Sequence, residues 1–444
     1  MKKTLSRRSF MKQTSLAGLS VPLILPRLSL GAPVSEKLHH AAIGVAAQGA
    51  YDLEQIFSSG KVVVRALCDI DAVSLEKASK RYPDARLYRD WREMLEMEGD
   101  QIDSVNVSTP DHTHAPAAMT AIQKKLHVFC EKPLTHSVFE ARRLTLAAKK
   151  QGIATQMGIQ IHAHDFYRTA VIWLQEGAIG KVKSWHSWCS AVYTTDDKQR
   201  PEGEDAIPEH VNWDFWLGVA PQRPYKEVLY HPFKWRCWRD FGSGAVGDFG
   251  CHIFDPVFTA LEIGAPRTIT AETECVSDEV HPAWTISHYV FPGTQWTADR
   301  EISATWRDGG KKPDPSLSPH LSADFELPAS GSIIIGEEGT MILPHVGPPH
   351  LYPEEKFVDY PKPELEPKNH YHEFVDAALS GTTGDAGFHF SGPLTEAVLL
   401  GNIANRFPGK TLQWNSHQLK FDNNTDATGL LRRSYRKGWQ IRGL

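Results

Sequence analysis

The strongest constraint on this chain is a repeat of pattern rather than of sequence. Between residues 41 and 157, short apolar runs rich in β-branched residues alternate with stretches of helical period. Residues 41–45, 62–68, 102–107, 126–130 and 153–157 read as strands buried on both faces. Between them, residues 51–57 read as a helix stopped near Gly60, and Asp71 is placed to cap a helix that runs to Arg81. Asp90 with Glu93, and Ser137 with Glu140, have capping-box spacing, and the second pair opens a helix to Lys150; another helix is expected over 115–124. Strands and helices alternating in this way require right-handed crossovers, and so an α/β fold with a doubly wound parallel sheet. In a chain of 444 residues, 41% hydrophobic and 23% charged residues exclude a disordered chain, a collagen-like fibre and a multi-span membrane protein.

Where the first strand meets the first helix stands Gly44-Val45-Ala46-Ala47-Gln48-Gly49. Glycines at the two ends of such a turn let the backbone tighten and approach a pyrophosphate, which the following helix N-terminus attracts. Ala46 stands where this pattern commonly has a middle glycine, and its Cβ narrows the approach. Asp69 ends the second strand, 20 residues after Gly49, where an acid binds ribose hydroxyls and repels a 2′-phosphate. The pattern therefore points to NAD rather than NADP. The plainer reading is a structural glycine turn, with Asp69 helping Asp71 to cap a helix; the coincidence of strand, turn, helix and acid favours the cofactor.

After Asp165 the pattern changes. A helix over 166–175 closes near Gly177, and longer alternating stretches follow at 268–275, 285–291 and 295–306. These suit a largely antiparallel sheet with one covered face. Residues 194–212 and 308–330 read as loops long enough to serve as binding loops or lids, and helices return over 371–379 and 394–406.

Three segments carry chemistry: Ser108-Thr109-Pro110-Asp111-His112-Thr113-His114, Cys130-Glu131-Lys132-Pro133-Leu134 and Gly247-Asp248-Phe249-Gly250-Cys251-His252. With Trp213-Asp214-Phe215-Trp216-Leu217-Gly218 and Gly392-Pro393-Leu394-Thr395-Glu396-Ala397, the chain from about Ala41 onward resembles the Gfo/Idh/MocA oxidoreductases. That resemblance implies a Rossmann domain over residues 38–157. It also implies an α+β domain over 158–444, with a large, mostly antiparallel open sheet used for substrate and for a homodimer or homotetramer. It implies that Glu131 and Lys132 sit beside the nicotinamide, that Ser108, Thr109, Pro110, His112 and His114 surround its ribose, and that His162 lies on the substrate side.

The chemistry is also readable from the residues. Oxidising a secondary alcohol removes a hydride from carbon and a proton from oxygen, and a group titrating near neutrality suits the proton. His252 lies four residues after Asp248, so on a helix both project from one face, where Asp248 can orient the imidazole or bind a hydroxyl. Lys132, at a strand end, can polarise the reacting oxygen. Trp235 and Arg236, just upstream, suit a pyranose face and its hydroxyls, whereas Trp213 and Trp216 read as core. Taken singly, each of these is as readily a surface pair, a loop lysine or a core aromatic; together behind a cofactor turn they favour catalysis.

The His112/His114 and His162/His164 pairs lack acidic or cysteine ligands at metal spacing, so no metal is expected. None of the six cysteines forms a Cys-x-x-Cys pair, and free buried thiols are expected. At the N-terminus, Ser6-Arg7-Arg8-Ser9-Phe10-Met11-Lys12, an apolar run over 16–25 and the small residues Ser29, Gly31 and Ala32 resemble a twin-arginine signal, covering residues 1–32 and cleaved near 31–32. The run is too short for a membrane anchor, and Pro22 and Pro26 interrupt it. Periplasmic delivery of a folded, cofactor-loaded protein by the twin-arginine machinery is expected. Beyond residue 32 the chain holds 42 Lys and Arg against 53 Asp and Glu, a balance that argues against nucleic acid as a partner. Carbohydrate handling is one reason for a count of 13 tryptophans, and the resemblance implies a sugar, glycoside or cyclitol as the ligand. Two other outcomes stay open: a redox-neutral glycosidase that oxidises, eliminates and re-reduces, and a non-catalytic sugar sensor. Lys132 counts against the first, and the intact Lys132, Asp248 and His252 set against the second.

Overall fold

A computed structural model describes residues 37–444. The expected signal segment lies outside the described residues. Six strands, β1 Leu38–Ile43, β2 Val62–Cys68, β3 Arg86–Tyr88, β4 Ser104–Val107, β5 His127–Glu131 and β6 Thr155–Gly158, form one sheet in the order β3-β2-β1-β4-β5-β6. Every pairing in it is parallel. The connecting helices are α1 Gln48–Phe57, α2 Ala72–Arg81, α3 Trp91–Glu98, α4 Asp111–Gln123 and α5 Val138–Gln151. Asp71 caps α2 by accepting from the Val73 and Ser74 amides, and the Ser137/Glu140 capping box opens α5 as the spacing predicts.

Two departures from the sequence reading have physical causes. β1 begins at Leu38, ahead of the apolar run, because the His40 imidazole is fully buried and bonded to Ser104 Oγ and Asn106 Oδ1 on the neighbouring strand. β3 is short and half-exposed at the sheet edge, where no buried run marks it.

The second sheet has nine strands: β7 Val182–Trp188, β8 Thr268–Thr273, β9 Thr285–Pro292, β10 Glu301–Arg307, β11 Gly331–Gly336, β12 Thr340–Pro344, β13 His350–Tyr352, β14 Leu412–Asn415 and β15 Lys420–Phe421. Their order is β13-β12-β11-β7-β10-β9-β8-β14-β15, antiparallel except where β10 lies parallel to β7. The sequence reading missed β7 and β11–β15. β7, read as Val-Lys-Ser-Trp-His-Ser-Trp, buries its His and Ser through cross-strand bonds to Thr305 and Ser332.

The remaining helices are α6 Asp165–Gln175, α7 Trp213–Leu217, α8 Gly244–Leu261, α9 Glu354–Phe357, α10 His370–Ser380, α11 Phe388–Ala404 and α12 Thr425–Gly429. α8 is the structural axis of this half. Its Phe254 and Phe258 meet Trp185, Tyr289, Phe291 and Trp306 of the sheet. α11 packs against both α8 and α5, tying the two halves together. A Cβ at Gly250 would stand 2.9 Å from Val398 Cγ1, so the close approach of α8 to α11 requires glycine there. Finally, Trp439 packs on α3, its ring 3.6 Å from the Arg92 guanidinium.

Candidate active site

The site starts at the β1–α1 turn. Gly44 adopts φ +84°, and a Cβ there would stand 2.2 Å from the Ser108 carbonyl oxygen; one at Gly49 would stand 2.3 Å from the Gly44 carbonyl oxygen. Glycine is obligatory at both positions. α1 begins after Ala47 with no capping side chain, so its first amides have no side-chain partner. A helix N-terminus without a side-chain cap, behind a glycine turn, is the cradle a pyrophosphate needs. The Ala46 methyl lines the same cavity without closing it.

That cavity, of about 510 Å³, lies over the carboxyl ends of the parallel strands. Asp69 lines it at the end of β2, its carboxylate accepting from the Val45 and Asp71 amides at 3.0 and 2.9 Å. Glu131 lines it at the end of β5. These strands lie three strand spacings apart, roughly 14 Å, with the α1 N-terminus between them. An acid for a ribose, a cradle for a pyrophosphate and room beyond for a second ring fit NAD in that order. Ser108, Thr109, Pro110, Gln48 and Gly49 complete this wall.

Beyond Glu131 the lining changes to Lys132, Asp111, Asp248 and His252, facing Trp235 and Arg236. Lys132 Nζ donates to Asp248 Oδ1 at 2.5 Å and to the Asp248 carbonyl at 2.9 Å. Tyr193 donates its hydroxyl to Asp248 Oδ2 at 2.8 Å, and Arg236 Nε stands 3.7 Å from that oxygen. The Arg236 guanidinium is held between the rings of Phe233 and Trp235, at 4.4 and 4.2 Å. Burial alone would raise the Asp248 carboxyl, but Lys132 and Arg236 outweigh it and hold it at about 2. Burial likewise pulls the Lys132 ammonium down, and Asp248 and Glu131 more than restore it. Lys132 is thus a cation at neutral pH, able to polarise an oxygen but not to accept a proton. His252 is the reverse: burial, then the Lys132 charge and His345, drive it well below its ordinary value, so it is a neutral imidazole.

The geometry revises several expectations. Asp248 does not orient His252: its carboxylate is occupied by Lys132, Tyr193 and Arg236, and the buried His252 Nδ1 has no partner. His112, His114 and His162 do not line the cavity. His112 faces the Trp216 and Phe241 carbonyls, His114 the Thr109 and Pro133 carbonyls, and His162 pairs with Asp255 at 2.8 Å. Trp213 and Trp216 stack at 4.7 Å in a buried aromatic cluster, as expected, but Trp216 also reaches the cavity wall. Tyr193, His231 and Gln160 went unrecognised in the sequence; each joins the site from a loop or turn without a motif. Among the described residues, no three His, Cys, Asp or Glu side chains converge as a metal site, and no helix is long and apolar enough to cross a membrane. The six cysteines are free.

Residues 38–159 match the oxidoreductase family, NAD-binding Rossmann fold, and residues 184–293 match the oxidoreductase family, C-terminal alpha/beta domain. The two matches are the two domains of one family and together span just over half of the chain. This chain belongs to the Gfo/Idh/MocA oxidoreductase family. Among curated members it is similar to levoglucosan dehydrogenase of Pseudarthrobacter phenanthrenivorans, 25% identical over 195 residues, which are 44% of this chain and 40% of that one. The chain therefore spans less than half of that relative's length. Solved structures of similar fold include the WlbA dehydrogenase of Bordetella pertussis in complex with NADH and UDP-GlcNAcA (TM-score 0.60, 15% identity, 85% of this chain and 99% of that one). Another is the aldose-aldose oxidoreductase of Caulobacter crescentus complexed with glycerol (TM-score 0.57, 17% identity, 85% and 100%). At these identities the structures establish the fold alone.

Proposed function

We propose that this protein is an exported, NAD-dependent oxidoreductase that acts on a secondary hydroxyl of a sugar, glycoside or cyclitol and keeps its cofactor between turnovers. The observation that carries this reading is the juxtaposition of a fixed Lys132 cation and a neutral His252 in the cavity that holds the dinucleotide turn. Bound NAD would supply a hydride acceptor. Lys132 would polarise the substrate oxygen, and His252 would take its proton. Asp248 would position Lys132, and Trp235 with Arg236 would bind the sugar. The name of the curated relative, levoglucosan dehydrogenase, supports the substrate class.

Retention is supported by a cover across the end of β2. The Ala72 amide donates to the His210 carbonyl at 2.9 Å, and the Asn212 amide to the Ile70 carbonyl at 3.0 Å. Arg89 Nη2 donates to both carbonyls, at 2.5 Å to Ile70 and 2.8 Å to His210. Residues 231–233, 235 and 236 also line the cavity, and His231 Nε2 stands 3.7 Å from Asp71 Oδ2, just past the end of β2. A periplasm without a free NAD pool gives such a cover a purpose: the reduced cofactor is restored in place by a second, carbonyl-bearing sugar. Delivery by the twin-arginine route and assembly as a homodimer or homotetramer complete the reading.

The test is cofactor content and products. Protein purified without added nucleotide should release about one NAD(H) per chain on denaturation. Free NAD should give little steady turnover, and a ketosugar acceptor should restore it. Mass spectrometry over disaccharides and glycosides should show a ketosugar. An empty protein that steadily reduces added NAD removes the retained cycle, and release of an aglycone replaces the dehydrogenase with a redox-neutral glycosidase.

A further inference from the structure

Behind the cofactor cavity lie two carboxyl groups that the chemistry above does not use. Asp52, on α1, is fully buried; Glu131, at the end of β5, is 6% exposed and forms part of the cavity wall. They are within hydrogen-bonding reach of each other. Asp52 Oδ1 accepts from Gln48 Nε2 at 2.8 Å and from the Tyr371 hydroxyl at 2.9 Å, and Oδ2 accepts from Ser108 Oγ at 2.7 Å. Glu131 Oε1 accepts from Gln160 Nε2 at 2.7 Å. Among the described residues, neither carboxyl forms a salt bridge with an arginine or lysine.

Ionised carboxylates only accept hydrogen bonds, so two in contact attract only when one carries a proton. We propose that Asp52 and Glu131 share one proton and act as a charge-regulating pair beneath the nicotinamide, setting how much more tightly the protein binds oxidised than reduced cofactor. The inference rests on the cavity taking NAD in the order given above. The oxidised nicotinamide carries a positive charge and the reduced ring none. The pair therefore holds its proton less tightly under NAD⁺ than under NADH, and by linkage NAD⁺ binds more tightly once the proton leaves.

The groups around the pair leave this role to it. From α1 come Gln48 and Asp52, and from the β4 end Ser108, behind which Asn106 and His40 form a chain of bonds. Burial holds His40 down at about 4, so it stays neutral. α10 contributes Tyr371, whose hydroxyl is pushed up by burial and by Asp52; β5 contributes Cys130, a thiol pushed up by burial. Lys132 is the near cation, and its ammonium is engaged by Asp248. Asp111, at the catalytic end, is pushed up to about 7 by burial. Burial raises both carboxyls of the pair, and Asp52 raises Glu131 further.

The experiment is calorimetric titration of the full-length, cofactor-stripped protein with NAD⁺ and with NADH at pH 8, in two buffers of different ionisation enthalpy. NAD⁺ binding should release a substantial fraction of a proton, and NADH binding should release none. Glu131→Gln should bind both forms and lose the NAD⁺-linked release. The double variant Asp52→Asn/Glu131→Gln should lose on the order of tenfold of its preference for NAD⁺ over NADH. Equal proton counts for the two forms in the wild-type protein overturn the inference without any variant. So does a Glu131→Gln protein with unchanged release. A protein that binds neither nucleotide overturns the cofactor reading itself, and this inference with it.

Discussion

Lys132 Nζ grips Asp248 twice, through the carboxylate at 2.5 Å and the main-chain carbonyl at 2.9 Å, and so joins the end of a parallel strand to the second turn of α8. Both side chains are largely buried, 16% and 12% exposed. The pair is at once a strut between the halves of the molecule and the cation of the site.

Breaking the strut should therefore cost stability as well as activity. Lys132→Met leaves the buried Asp248 carboxylate with only the more distant Arg236 as a cation and should destabilise the fold by up to about 3–5 kcal/mol at pH 7. The Asp248 carboxyl is held near 2, below its ordinary value, so its stabilising contribution is present above about pH 4 and fades as pH falls toward 2. The melting-temperature gap between variant and wild type should narrow from pH 7 to pH 3. A gap that does not change with pH would show that the pairing is not its source.

His252→Ala should lower turnover by about 10²–10⁴-fold while leaving NAD affinity within a factor of a few. Side-by-side turnover and nucleotide titration check this. A near-normal rate removes His252 from the chemistry.

Asp111 opens α4 inside the cavity wall, and burial pushes it up to about 7. With the folded value above the unfolded one, ionisation costs folding free energy; the cost starts as pH rises past about 4 and is complete above about 7. Asp111→Asn removes it. Relative to wild type, the variant's melting temperature should gain between pH 5 and pH 8. A constant offset across that range would sink the assignment.

Arg89→Ala should loosen the cover without touching the cradle, because among the described residues Arg89 donates only to the Ile70 and His210 carbonyls. Cofactor release, followed by fluorescence after dilution, should quicken by about tenfold or more, a loss of roughly 1.4 kcal/mol. Unchanged release places the barrier elsewhere.

Residues 1–35 fused to a folded reporter should carry it across the inner membrane, and replacing Arg7 and Arg8 with lysine should stop export. Normal export of the lysine pair would refute the twin-arginine reading.

The sequence alone determined the parallel sheet, the glycine turn, Asp69 at the end of β2, the caps at Asp71 and Ser137, and the candidates Lys132, Asp248 and His252. Each of these signals is local: a period, a cap or a turn is written within about ten residues, where backbone sterics and burial act directly. Only the tertiary structure decided which chemistry-bearing residues share a cavity. Asp248 and His252, four residues apart, suggested a pair, yet Asp248 is bound by Lys132, 116 residues away. His112, His114 and His162 looked like site residues and are held by main-chain carbonyls or Asp255. Asp52, read only as part of a helix, meets Glu131 behind the cofactor cavity. Charge state and partnership depend on desolvation and on contacts between distant segments, and both arise only when the chain has packed.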